Sequence, residues 1–182
     1  EAIEHYARAA GSEAISVRLT SGFVHDLDAM LARATASTTL VYICNPNNPT
    51  ATLTPRKDVE NFITKLPAST FVIIDEAYHH YAGQSGMYAS FIDRPLDDER
   101  VIVARTFSKV YGLAGLRLGY AVTSPKIIER MRKFAIEDNI NAIVTQAAGA
   151  ALEDTDAIDA FIQRNTDDRQ EFFNQAMARA LK

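Results

Sequence analysis

Three short apolar runs, Leu40–Cys44, Phe71–Ile74 and Val101–Ala104, constrain this chain more than any other feature. Each has the length and β-branched content of a buried strand, and each stops at a polar cluster instead of continuing with helical spacing. The intervening segments read differently. Asp26–Ala34 places Leu27, Met30, Leu31 and Ala34 on one helical face. A second helix is expected from Pro55 to about Leu66, with Thr54 as its cap and Pro55 at its first position. Earlier, Ala2–Ala10 has a helical pattern halted at Gly11, and the alternation in Ala14–Leu19 predicts a strand. Later come a Gly/Ser-containing stretch from Ala82 to Asp98, read as partly loop, and a short strand at Gly119–Thr123. Helices are expected from Pro125, over Asn141–Leu152, and from Thr155 to the end. Strands separated by helices at this rhythm predict an α/β sheet with helices on both faces.

Composition narrows the function classes. With 47% hydrophobic and 23% charged residues over 182, the chain has the make-up of a soluble globular domain with a sizeable core. A net charge of −4 without a basic block argues against nucleic acid as a partner. The single cysteine, Cys44, excludes an internal disulfide and fits a reducing, cytoplasmic setting. No apolar run approaches a membrane span, and no signal peptide is visible. The chain opens at Glu1 inside a helical pattern and without an initiator Met, which reads as an incomplete N-terminus.

In α/β sheets ligands collect beyond the carboxyl ends of the strands. Three polar sets follow the three apolar runs: Asn45–Thr50, Asp75–Tyr78 and Thr106–Lys109. They should share one edge. Lys109 is the least expected of them, because a lysine just past a buried strand must reach water, pair with an anion, or act as a nucleophile. Thr106, Ser108 and Arg117 together suit a phosphate. A lysine forms an imine with an aldehyde, and a buried carboxylate holds a proton on a pyridine nitrogen. Asparagine and tyrosine can hydrogen-bond a phenolic oxygen. These are the demands of pyridoxal phosphate, whose ring is an electron sink while its nitrogen stays protonated.

The motifs Asn45-Pro-Asn-Asn-Pro-Thr50, Asp75-Glu-Ala-Tyr78 and Thr106-Phe-Ser-Lys109, followed by Gly112-Leu-Ala-Gly-Leu-Arg117, occur in order. In that order and spacing the chain resembles the large domain of fold-type-I aminotransferases, most closely the histidinol-phosphate aminotransferase branch. The resemblance implies a three-layer α/β/α domain whose sheet is mostly parallel with one antiparallel strand. It implies that Lys109 carries the cofactor and shuttles the proton, and that Asp75 pairs with the pyridinium nitrogen. Tyr78 and Asn48 would bind the ring oxygen, while Thr106, Ser108 and Arg117 would bind the phosphate. Implied partners are a small-molecule amino donor, a 2-oxo acid and a second copy of the parent chain in a homodimer. Residues 1–182 would form the central part of the cofactor-binding domain. A glycine-containing phosphate loop, a stacking aromatic and a small C-terminal domain would lie outside them. The strand that normally separates Ala14–Leu19 from Leu40–Cys44 would also fall outside, leaving Ala14–Leu19 unpaired or displaced. A decarboxylase or lyase on the same scaffold, and an inert cofactor- or partner-binding domain, stay open at this point. A nucleotide P-loop is disfavoured, since Ser108-Lys109 lacks the preceding glycines.

Other residues read as structural. His79-His80, if on a strand, would point to opposite faces and could not chelate a metal together, so no metal site is expected. His25 reads as a solvated turn residue and Cys44 as core. Ala51 stands where the family carries glycine, so a turn needing positive φ would be strained there, with consequences for Asn48. The acidic run Glu153–Asp159 reads as a solvated helix start.

Overall fold

The structure, a computed structural model, describes residues 2–83, 85–135 and 140–179. Its elements in chain order are α1 (Ala2–Ala9), α2 (Leu27–Arg33), β1 (Leu40–Cys44), α3 (Arg56–Lys65), β2 (Phe71–Asp75), β3 (Val101–Thr106) and β4 (Gly119–Val122). The helices α4 (Pro125–Arg132), α5 (Ala142–Glu153) and α6 (Thr155–Ala178) follow. Short 3-10 turns occupy His79–Ala82 and Ala114–Leu116. The four strands form one sheet in the order β1-β2-β3-β4, parallel from β1 to β3 with β4 antiparallel. This is the expected mixed α/β sheet.

The chain divides into two compact units. The first comprises residues up to Arg105 together with Tyr120–Ala135. Its register sets Ile43 beside Ile74 and Ile74 beside Val103, with Val72 beside Val101. Because side chains alternate along a strand, these five share one face of the sheet, and all are buried. Val59, Phe62 and Ile63 of α3 pack on that face, with Leu27, Met30 and Leu31 of α2, its C-cap Ala34, and Phe91 from the loop after β2. The other face carries Tyr42, Cys44, Phe71, Ile73 and Asp75, and Arg130 of α4 places its guanidinium 5.1 Å from the Phe71 ring centre. Two arginines fasten the irregular parts. Arg56 donates to the carbonyls of Ala89, Ser90 and Arg94 and lies over the Phe91 ring, which secures the stretch after β2 against α3. Arg100 donates to the carbonyls of Ile63, Leu66 and Pro67 and so caps the C-terminal end of α3, where carbonyls lack helical partners.

Two sequence expectations need correction here. Ala14–Leu19 belongs to no strand, and among the described residues the one sheet neighbour of β1 is β2. Alternating apolarity makes a strand only where a ladder partner exists, and this segment has the unpaired state the family comparison implied. Thr54 does not cap α3 through its side chain. Pro55 takes the cap position, while the Thr54 backbone is bound by Asn45.

The second unit comprises Thr106–Gly119 and the residues from 136 onward, of which 140–179 are described. Asn141 accepts from the Ile143 N–H to start α5, and Asp154 accepts from the Ala157 N–H to start α6. The acidic run is thus a helix start, as read. The last helix, expected to reach Lys182, ends at Ala178 with Arg179 at its C-cap position, and residues 180–182 lie outside the described residues.

Candidate active site

The parallel register places the ends of β1, β2 and β3 level: Cys44 pairs with Asp75, and Asp75 with Ala104. Within the first unit the strand ends therefore share one edge, where Asp75 ends β2 and the loops after β1 and β2 carry Asn48 and Tyr78.

In the first unit, the loop after β1 is braced by Asn45. Its side-chain amide donates to the Thr54 carbonyl at 2.9 Å and accepts from the Thr54 N–H at 3.0 Å, a strand-like pairing made by a side chain. Asn45-Pro46 and Asn48-Pro49 are cis. Asn47 donates its N–H to the Thr52 carbonyl and accepts the Ala51 N–H on its own carbonyl, closing a tight turn in which Ala51 has φ +54°. The exposed Asn48 projects from this turn, and its Nδ2 donates to the Tyr78 hydroxyl at 2.9 Å. Two residues thirty positions apart are thereby brought together from separate loops.

Asp75, half-buried, is the last residue of β2. Its Oδ1 accepts the Ala77 N–H at 2.9 Å and its Oδ2 accepts the Tyr42 hydroxyl at 2.6 Å. Tyr42 is a functional candidate that the sequence reading missed. It lies on the same sheet face as Asp75, one pleat away across β1 and β2, a relation visible only once strand order and register are known. Burial, the Asp75 hydrogen bond and the Asp75 charge push the Tyr42 phenol far above its ordinary range, so it remains a donor. The neighbouring Cys44 thiol is also pushed up, first by burial and then by the Asp75 charge.

Glu76, fully buried, was likewise overlooked. Its carboxylate accepts from Ser90 Oγ at 2.7 Å, the Phe91 N–H at 2.7 Å, and Arg105 Nε and Nη2 at 3.1 and 3.0 Å. One buried carboxylate thus joins the end of β2, the loop after it and the end of β3. Its satisfied hydrogen bonds explain how the interior tolerates the charge.

In the second unit, Thr106–Gly119 folds back on itself. Phe107 donates its N–H to the Leu118 carbonyl and accepts the Leu113 N–H. Thr106 Oγ1 accepts the Ser108 N–H at 3.1 Å, so these two predicted phosphate ligands lie together. Phe107 and Val110 are buried on either side of the exposed Lys109. Arg117 has φ +55°, and its Nη1 donates to the Ala114 carbonyl at 2.9 Å.

The aminotransferase class I and II family matches residues 1–180. The chain belongs to that family. Among curated relatives it is 43% identical over 159 residues to a histidinol-phosphate aminotransferase of Cupriavidus pinatubonensis, covering 86% of this chain and 40% of that protein. It is 42% identical over 153 residues to an aromatic amino acid aminotransferase of Rhodococcus jostii, covering 84% and 42%. Among solved structures, the histidinol-phosphate aminotransferase of Sinorhizobium meliloti in complex with pyridoxal-5'-phosphate superposes with TM-score 0.88 at 31% identity. That match covers 96% of this chain and 47% of the other. The chain thus spans less than half the length of these aminotransferases.

Four residues read as structural differ from expectation. His79 and His80 lie in a 3-10 turn, not a strand, and their ring centres are 3.7 Å apart with the planes tilted by 44°. The argument from opposite strand faces therefore does not apply to them. Among the described residues, no group of three or more His, Cys, Asp or Glu side chains is placed to hold a metal. His25 is half-buried and its Nε2 donates to the Cys44 carbonyl at 2.9 Å, tying the entry of α2 to the end of β1. Cys44 sits on the Asp75 face and not in the core, with its thiol donating to the Pro46 carbonyl. No helix among the described residues is long and apolar enough to cross a membrane.

Proposed function

We propose that the protein containing this chain is a pyridoxal-phosphate-dependent aminotransferase, and that residues 1–182 form the central part of its cofactor-binding domain. The observation that carries this reading is the set at the end of β2. Asp75 offers a carboxylate held on both oxygens, while the Asn48–Tyr78 pair presents donors from two loops leaving the same sheet edge. A pyridine ring bearing a neighbouring hydroxyl asks for that combination, so the residues fit the cofactor. When bound, pyridoxal phosphate supplies an electron sink that stabilises charge at the substrate α-carbon.

In this reading Asp75 holds the proton of the ring nitrogen, and Tyr78 and Asn48 orient the ring oxygen. Thr106, Ser108 and Arg117 bind the phosphate, the two hydroxyls by hydrogen bonds and the guanidinium by charge. Lys109 would hold the cofactor through Nζ and would move a proton at that same nitrogen. The partners are an amino donor and a 2-oxo acid, and the family resemblance supports a homodimer. The donor is an amino acid or an amino phosphate ester of the histidinol-phosphate type. Relatives of both kinds match at nearly equal identity, so both donor classes belong in the assay. The free Cys44 and the composition support a cytoplasmic setting.

The test is borohydride reduction of the whole protein after incubation with pyridoxal phosphate, followed by peptide mass analysis. The cofactor mass is expected on the peptide containing Lys109 and is expected to vanish in Lys109→Ala. An unlabelled Lys109 in the wild-type protein overturns the assignment. Amino transfer to 2-oxoglutarate separates the aminotransferase from a decarboxylase, which would release carbon dioxide instead.

A further inference from the structure

The hydrogen bond between Tyr42 and Asp75 has more consequence than the burial of a phenol requires. Asp75 accepts one bond on each oxygen, the Ala77 N–H on Oδ1 and the Tyr42 hydroxyl on Oδ2. Two bonds on two different oxygens fix the rotation of a carboxylate about its Cβ–Cγ axis, which one bond would leave free. They also leave one acceptor direction on each oxygen for a third group. The donor sense is settled, because the carboxylate offers only acceptors when ionised and the phenol keeps its proton. At 2.6 Å the bond has the length of a charge-assisted O–H···O bond, so it withdraws part of the charge that Oδ2 would otherwise present. Among the described residues, the neighbouring strands place these groups beside the carboxylate. From β1 they are the Tyr42 phenol and the Cys44 thiol, and from β3 the register partner is Ala104, which does not titrate.

We propose that Tyr42 is a positioning residue for the reaction: it fixes the orientation of the carboxylate that meets the ring nitrogen and sets how much negative charge it presents there. The proposal rests on the cofactor reading above, in which Asp75 pairs with that nitrogen. Phenylalanine would fill the same space on β1 without the hydroxyl, so the contribution resides in a single proton donor.

The whole protein is compared with Tyr42→Phe and with a form carrying 3-fluorotyrosine at position 42, whose phenol is a stronger donor of nearly the same size. Two quantities are read: the dissociation constant for pyridoxal phosphate, and the pH midpoint of the visible absorption of the bound cofactor. Losing a hydrogen bond to a charged group is expected to weaken cofactor binding in Tyr42→Phe by roughly tenfold. Fuller charge on Asp75 favours the protonated cofactor, so the midpoint should rise by about half a pH unit. With 3-fluorotyrosine the midpoint should fall. A role in packing alone would lower thermal stability and leave both quantities at their wild-type values, and that result overturns the proposal. If Tyr42→Phe does not fold, the fluorinated form decides alone: a lower midpoint supports the proposal and an unmoved one overturns it. A wild-type protein that binds no pyridoxal phosphate overturns the cofactor reading, and this proposal with it. Normal wild-type binding with unmoved midpoints overturns this proposal only.

Discussion

At Ala51 the backbone adopts φ +54°, where a Cβ crowds the following carbonyl and costs roughly 1–2 kcal/mol relative to a right-handed conformation. The turn tolerates this because Asn47 holds it from both ends, through the Ala51 and Thr52 backbones. Glycine at this position removes the crowding but adds freedom to the unfolded chain, worth about 0.4–1 kcal/mol in the opposite direction. Ala51→Gly should therefore stabilise the chain by up to about 1 kcal/mol, measured as a higher urea midpoint with unchanged slope. A lower midpoint would mean that the alanine is not strained. The strain was legible through the family resemblance, because Ala51 stands where the family carries glycine. The partner of Asn48 was legible only as an implication of the family, since nothing local links it to Tyr78.

Between elements, the Glu76–Arg105 pair joins the ends of β2 and β3, with 0% of the glutamate and 10% of the arginine side chain exposed. Removing one partner of a buried pair leaves the other charge uncompensated, at a cost of about 3–5 kcal/mol. Glu76→Ala should lose stability on that scale in urea denaturation. Glu76→Gln, which keeps acceptors for Ser90 and Phe91, should lose less. Equal losses in the two variants would show that charge pairing with Arg105 is the whole effect. Neither residue announces this in the sequence. Glu76 reads as one letter of a motif and Arg105 as a strand-end cation, and their pairing depends on β2 and β3 being parallel neighbours. Helix and strand bounds were largely legible because apolar periodicity is local, down to β1 at Leu40–Cys44 and α5 after Asn141. Ala14–Leu19 was misread for the opposite reason, since alternation is local but strand pairing is not.

For the chain as a whole, the adjacent half-buried histidines give a pH dependence whose sign can be worked out. Burial, then the charges of His80 and Arg105, depress His79 from its ordinary value near 6.5 to about 3. Burial and then Arg105 depress His80 to about 4, with Asp93 opposing. Unfolding exposes both rings and returns them to ordinary values. Below about pH 6.5 the unfolded chain therefore binds protons that the folded chain refuses, and stability falls as pH is lowered toward the folded values. The contribution is fully present above pH 6.5 and is lost between there and about pH 3–4. Carboxylates titrate in the lower part of that window, so the informative quantity is the difference between wild type and a His79→Asn, His80→Asn double variant. Urea midpoints at pH 7.5, 6 and 5 should decline in the wild type and decline less in the variant, most clearly between 6 and 5. Parallel declines would mean that the rings protonate without leaving the fold. The sequence could not have supplied this prediction, because the adjacent pair looked like two residues on opposite faces of a strand. Only the 3-10 turn after Tyr78 brings the two rings into contact within reach of the Arg105 charge.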